Sequence, residues 1–130
     1  MENGSTVKEK SYYFAIRIVK LCMWLKEERH KEERHFELSS QVLRSGTSIG
    51  ANIEEASASH SKKEFVHKMA IASKEARETH YWLRLLRDSD ILSGKQASEL
   101  INESKELIKM LTSIVKTGRS NLGQLKTENS

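Results

Sequence analysis

Apolar residues recur along this chain with the period of an α-helix in four separate stretches, and nowhere with the two-residue alternation of a strand. In the first, Phe14, Ile18, Leu21 and Leu25 are spaced by 4, 3 and 4 residues, one helical face. From Leu38 to Ala58 the stripe is Leu38, Val42, Ser45, Ile49, Ile53 and Ala56, made of small residues. The third stretch, about Lys62 to Asp88, repeats Phe65, Met69, Ala72, Ala76, Thr79, Leu83 and Leu86. The fourth, about Gly94 to Thr117, repeats Ala97, Leu100, Ser104, Leu107, Leu111 and Ile114, flanked by Ile101, Ile108 and Val115. Three stretches open on a capping box, in which a hydroxyl accepts from the N3 amide: Thr6-x-x-Glu9, Ser61-x-x-Glu64 and Ser93-x-x-Gln96. No proline interrupts any of them. Such regular spacing favours shallow crossing angles, and short connections make neighbours antiparallel. The pattern predicts an all-α chain: an antiparallel up-down four-helix bundle over residues 7–118, a flexible N-terminus (1–6) and a polar, flexible tail (119–130).

The first helix carries a second apolar stripe. Tyr12, Ile16, Val19 and Met23 lie nearly opposite Phe14 and Ile18. A bundle core covers one face of a helix, so the second predicts self-association into a homo-oligomer.

Composition sets the class and removes several functions. With 130 residues the chain is one domain, long enough for a real core. Charged residues make 31% and hydrophobic ones 37%, and no apolar run approaches the roughly 18 to 20 residues of a membrane span. The start, MENGSTVKEK, has no apolar stretch that would read as a secretory signal. Cys22 is the lone cysteine, so no internal disulfide forms and a reducing, cytoplasmic setting is expected. The net charge of +4 is unevenly placed: residues 36–59 hold one basic and three acidic residues, whereas residues 60–90 hold seven basic and five acidic.

That acidic segment contains RSGTSIGANIEEA, Arg44 to Ala56. A phosphate loop needs Gly-x-x-x-x-Gly-Lys after a strand; here the spacing is one residue short and both lysine and strand are missing. A membrane dimer motif needs an apolar 20-mer, which Arg44, Asn52, Glu54 and Glu55 deny. Gly46 and Gly50 each cost a helix about 1 kcal/mol against alanine. Their expected use is close approach to a neighbouring helix, with Ala72 and Ala76 as candidate opposites. Asn52 reads as a buried amide that sets packing register.

Catalytic and metal chemistry find little support. EERHKEERH contains Glu-x-x-His twice, at Glu27/His30 and Glu32/His35. Five residues turn a helix by about 140°, so the two histidines cannot share a face, and a solvated helix end is favoured over a metal site. Cys22 lies in the apolar part of its helix, a packing position. Glu54, Glu55, Glu75 and Glu78 stand within reach of Arg44 or Arg77 as a structural ion-pair network. No nucleophile–base pair is discernible, so neither enzyme activity nor a cofactor is expected.

The functional candidate is a basic stripe. Lys63, His67, Lys74, Arg77, Tyr81 and Arg84 recur at spacings of 4, 7, 3, 4 and 3, pointing away from the Phe65–Leu83 face. The first helix adds Lys10, Tyr13, Arg17, Lys20 and Trp24 on a polar arc. Cations on one face suit phosphate backbones, and interleaved aromatics stack on unpaired bases. The stripe, with Arg17 and Lys20, makes nucleic-acid binding the functional candidate; the alternative is a solvated face, in which Glu64, Glu75 and Glu78 dilute the charge.

QVLRSGTSIGANIEEA, followed by KKEFVHKMAIASKEARETHYWLRLL, resembles the 23S rRNA intervening-sequence protein family. The motif is an arginine followed by Ser-Ile-x-x-Asn-Ile-x-Glu, here Arg44, Ser48, Ile49, Asn52, Ile53 and Glu55, with Glu64, Phe65, Ala72 and Glu75 or Glu78 after it. Gly50 stands where relatives often carry proline. The resemblance implies a small bacterial four-helix bundle assembled as a pentamer, with no family-wide enzymatic activity. It also implies kinship with the accessory variability protein of diversity-generating retroelements, which binds a reverse transcriptase and nucleic acid. A protein-interaction scaffold for such a polypeptide is therefore the competing role.

Overall fold

The structure is a computed structural model that describes residues 3–27 and 33–129, with side chains described for 7–27 and 37–123. His30, Glu32 and the side chain of His35 lie outside the described residues, as do Met1 and Glu2 of the expected flexible N-terminus. Four helices follow one another: α1 (Asn3–Leu25), α2 (Glu33–Ser57), α3 (Lys62–Asp88) and α4 (Gly94–Asn129). Among the described residues there is no strand.

The periodic residues do what their spacing requires. Phe14, Ile18, Leu21 and Leu25 of α1 meet Val42, Ile49 and Ile53 of α2, Met69, Ala72 and Leu83 of α3, and Leu100, Leu107 and Leu111 of α4 in one continuous core. Contacts run in opposite order along each neighbouring pair. Cys22 donates to the Ser39 carbonyl at 3.3 Å while Lys8 pairs with Glu54, which sets α1 against α2. Arg44 pairs with Glu75 and Lys68 with Glu55, across α2 and α3. Val66 packs at Gly118 and Arg77 donates to Thr112, across α3 and α4. Arg17 reaches Glu99 and Lys10 reaches Glu106, so α4 returns beside α1 and closes the bundle. Each adjacent pair is antiparallel.

The helix ends have local causes. Ser61 is extended, and its hydroxyl accepts from the Glu64 amide at 3.1 Å, as the capping box requires. At the other end of α3, Asp90 adopts a left-handed φ of 62°. The Asp90 amide then bonds Arg87 O and the Ile91 amide bonds Leu86 O, both at 3.0 Å, a complete Schellman stop. Ser93 stands immediately before α4, its carbonyl accepting from Ala97.

Four sequence expectations need correction. α1 begins at Asn3, so Thr6 lies inside the helix rather than capping it. Apolar periodicity does not register a first turn composed of Asn3, Gly4, Ser5 and Thr6. α4 does not end near Thr117 but continues through Asn129. Gly118, the first residue past that expected end, is a helix-interior notch: a Cβ there would stand 2.5 Å from Val66 Cγ2. The glycines of α2 face α1, not Ala72 and Ala76. A Cβ on Gly46 would meet Ile18, and one on Gly50 would meet Ser11. α3 is instead met by Ser45, whose hydroxyl lies 2.9 Å from that of Thr79. Asn52 is half-buried and donates to the Ser48 carbonyl and hydroxyl of its own helix, at 2.9 and 3.2 Å, so it sets no register with a neighbour.

Candidate nucleic-acid interface

α3 presents its stripe to solvent. Lys63, His67, Lys74, Arg77, Tyr81 and Arg84 are all exposed, on the side away from Met69, Ala76 and Leu83. Of the three glutamates that dilute this charge in the sequence, Glu75 and Glu78 turn toward α2 and bind Arg44, while Glu64 stays exposed in the first turn of α3. Glu78 also accepts from the Trp82 indole N–H at 2.9 Å. The expected network thus forms in part: Arg44, the arginine of the motif, holds Glu75 and Glu78, whereas Glu54 pairs with Lys8, Glu55 with Lys68, and Arg77 donates to Thr112 of α4 at 3.0 Å.

That turn toward α4 brings in cations the α3 stripe alone does not contain. A groove of about 410 Å³ runs between α3 and α4, with Ala70 and Val115 in its lining and Lys74, Arg77, Lys116 and Arg119 around it. Among the described residues none of these four cations has a carboxylate within ion-pair distance. Further along α3, His80 is half-buried, and its Nε2 is buried and, among the described residues, unpartnered. Burial pushes its pKa below the ordinary imidazole value, and the nearby charges of Arg84, Lys105 and Arg87 push the same way. The groove cations with Arg84 of α3 and Lys105 of α4 make a cationic strip along two helices, while Arg87 is paired with Asp88 at 2.8 Å.

The α4 half of the strip has its own signal in the sequence. Lys105, Lys109, Thr112, Lys116 and Arg119 recur at 4, 3, 4 and 3, the signature of one helical face. What hid it was the even mixture of glutamates on α4. Glu99, Glu103 and Glu106 fall on the other side, where they hold α1: Arg17 bonds Glu103 at 2.6 Å and Glu99 at 2.9 Å, and Lys10 bonds Glu106. Arg17, a candidate on α1, is therefore engaged by two carboxylates, and its neighbour Lys20 is exposed on α1, away from the α3–α4 groove.

The remaining candidates fall elsewhere. Of the motif residues, Arg44, Ser48 and Asn52 hold α2 together or hold it to α3, and Glu55 pairs with Lys68 at 2.7 Å. Tyr12, Val19 and Met23 are exposed along the outside of α1, with Ile16 half-buried between them. Cys22 is buried, and that burial pushes its thiol up to about 11, so it is protonated and unreactive near neutrality. Among the described residues no group of three His, Cys, Asp or Glu side chains is placed to hold a metal ion. No described helix is long and apolar enough to cross a membrane.

These features define a helical bundle with a segregated cationic face. The chain belongs to the 23S rRNA-intervening sequence protein family, whose model matches residues 4–113. It is similar to a crystal structure of a protein of unknown function from the S23 ribosomal protein family of Bacteroides thetaiotaomicron VPI-5482. The two share 45% sequence identity over 88% of this chain and 99% of the other, with a TM-score of 0.80. No curated protein gives a significant match.

Proposed function

We propose that this protein is a non-enzymatic RNA-binding bundle that holds the phosphate backbone along the α3–α4 strip. One observation carries the reading. Lys8, Lys10, Arg17, Arg44 and Lys68 are each matched to a glutamate, whereas Lys74, Arg77, Lys116 and Arg119 share one groove with no carboxylate partner among the described residues. Unneutralised cations in a groove concentrate positive potential, and a polyanion that enters releases its own counterions. The family takes its name from an intervening sequence of 23S rRNA, which agrees with RNA as the polymer.

The test is salt and charge reversal. Affinity for RNA falls steeply between about 50 and 200 mM salt. Lys74→Glu with Arg77→Glu abolishes binding, and Lys8→Glu, on the α1–α2 side, leaves it unchanged. An unaltered protein that binds no RNA at low salt would falsify the role.

A second reading rests on α1, where Tyr12, Val19 and Met23 remain 62, 40 and 66% exposed. We infer that this stripe is the contact between copies in a homo-oligomer, five copies being the assembly the family resemblance implies. Such an assembly repeats the cationic strip around its circumference. The alternative occupant is a polypeptide such as a reverse transcriptase, in which case the protein is a scaffold and the stripe binds that partner. The setting inferred from the buried, unpaired Cys22 is the cytoplasm.

A further inference from the structure

Tyr81 sits in the middle of the α3 strip, about 6 Å along the helix axis from Arg77 and about 4.5 Å from Arg84. Nearly half of its surface, 49%, remains exposed. Its ring stands edge-to-face against Trp82, with centroids 5.1 Å apart and planes at 68°. Trp82 is itself held in place: it is half-buried against the core, its indole N–H is bonded to Glu78, and Glu78 is bonded to Arg44 of α2. The tyrosine is thus steadied by its neighbour while staying open to solvent between two cations.

We propose that Tyr81 is a stacking platform for an unpaired base, and that the strip consequently selects single-stranded nucleic acid over duplex. This deepens the proposed RNA reading and rests on it. A duplex offers phosphates to the cations, but its bases are already stacked on one another, so the ring gains nothing. A single strand offers both: its phosphates meet Arg77 and Arg84, and the base between them lies on the ring. Glu78 beside Tyr81 does not repel the strand strongly, because Arg44 already neutralises it.

Binding of a labelled single-stranded RNA and a duplex of the same length to the full chain at low salt tests this. Tyr81→Ala is expected to weaken single-strand binding by about 5- to 100-fold and duplex binding by less than about twofold. Tyr81→Phe keeps the single-strand affinity, since the ring is retained. In the unaltered protein the Tyr81 ring-proton resonances move upfield when single strand is added, a signature a purely structural tyrosine would not give. Equal weakening of both polymers by Tyr81→Ala, or an intact single-strand affinity, overturns the stacking role. If Lys74→Glu with Arg77→Glu still abolishes binding in that case, the RNA-binding strip stands without it. Binding of neither polymer by the unaltered protein overturns both.

Discussion

Ile18 of α1 fills the notch left by Gly46 of α2: a Cβ built on Gly46 would lie 2.8 Å from Ile18 Cγ2 and 3.0 Å from Cγ1. Ile18 is fully buried and β-branched, so it has little freedom to give way. Four residues on, a Cβ at Gly50 would meet only ordinary contact, 3.5 Å from Ser11 Oγ.

The two glycines therefore respond oppositely to alanine. Overpacking at Gly46→Ala costs about 1–3 kcal/mol, against about 1 kcal/mol gained in helix propensity, so the variant is less stable. Gly50→Ala keeps the propensity gain and is more stable by up to about 1 kcal/mol. Urea unfolding of both variants measures this. Equal shifts would show that close approach to α1 is not what Gly46 is for.

Self-association through α1 predicts a second outcome. Val19→Glu with Met23→Glu leaves the helical content unchanged, because neither side chain is in the core, and lowers the mass seen by light scattering to that of one chain. A monomeric unaltered protein at micromolar concentration would remove the reading.

Stability against pH has an acid and an alkaline limb. His80 has a folded pKa below 6.5, so as pH falls through that value the unfolded chain takes up a proton that the folded one refuses, and stability drops. His80→Gln flattens that drop. Cys22 is raised from 9.0 to about 11, so between those values the unfolded thiol ionises while the buried one does not, and stability falls as pH rises. Cys22→Ala shallows the alkaline limb. Thermal melts across pH 5 to 10.5, each variant against the unaltered chain, read both slopes. A variant with an unchanged slope would show that its residue does not set that limb.

Most of the fold was legible because helical burial is a local signal. The Phe14–Leu25 and Leu100–Leu111 stripes identify their inward faces from spacing alone, and Ser61-x-x-Glu64 marks the α3 start that the hydrogen bond confirms. The same logic exposed the surplus face on α1, since Tyr12 and Met23 stay outside the core. Legibility ended where a residue's partner sits on another helix. Gly46 announces a close approach but not whether α1 or α3 makes it, and Gly118 looks the same in sequence whether it ends a helix or seats Val66.

The candidate site divides along the same line. By itself the sequence determined four helices, their buried faces and the cationic side of α3, because these follow from residue type and a 3.6-residue period. Only the tertiary structure decided which cations remain available. Packing α4 against α1 consumes Arg17 and Lys10 on Glu103 and Glu106, and packing α2 against α3 draws Glu75 and Glu78 to Arg44. Lys74 and Arg77 are thereby left beside Lys116 and Arg119. Neutralisation depends on distances between helices, and no spacing along one chain segment encodes those.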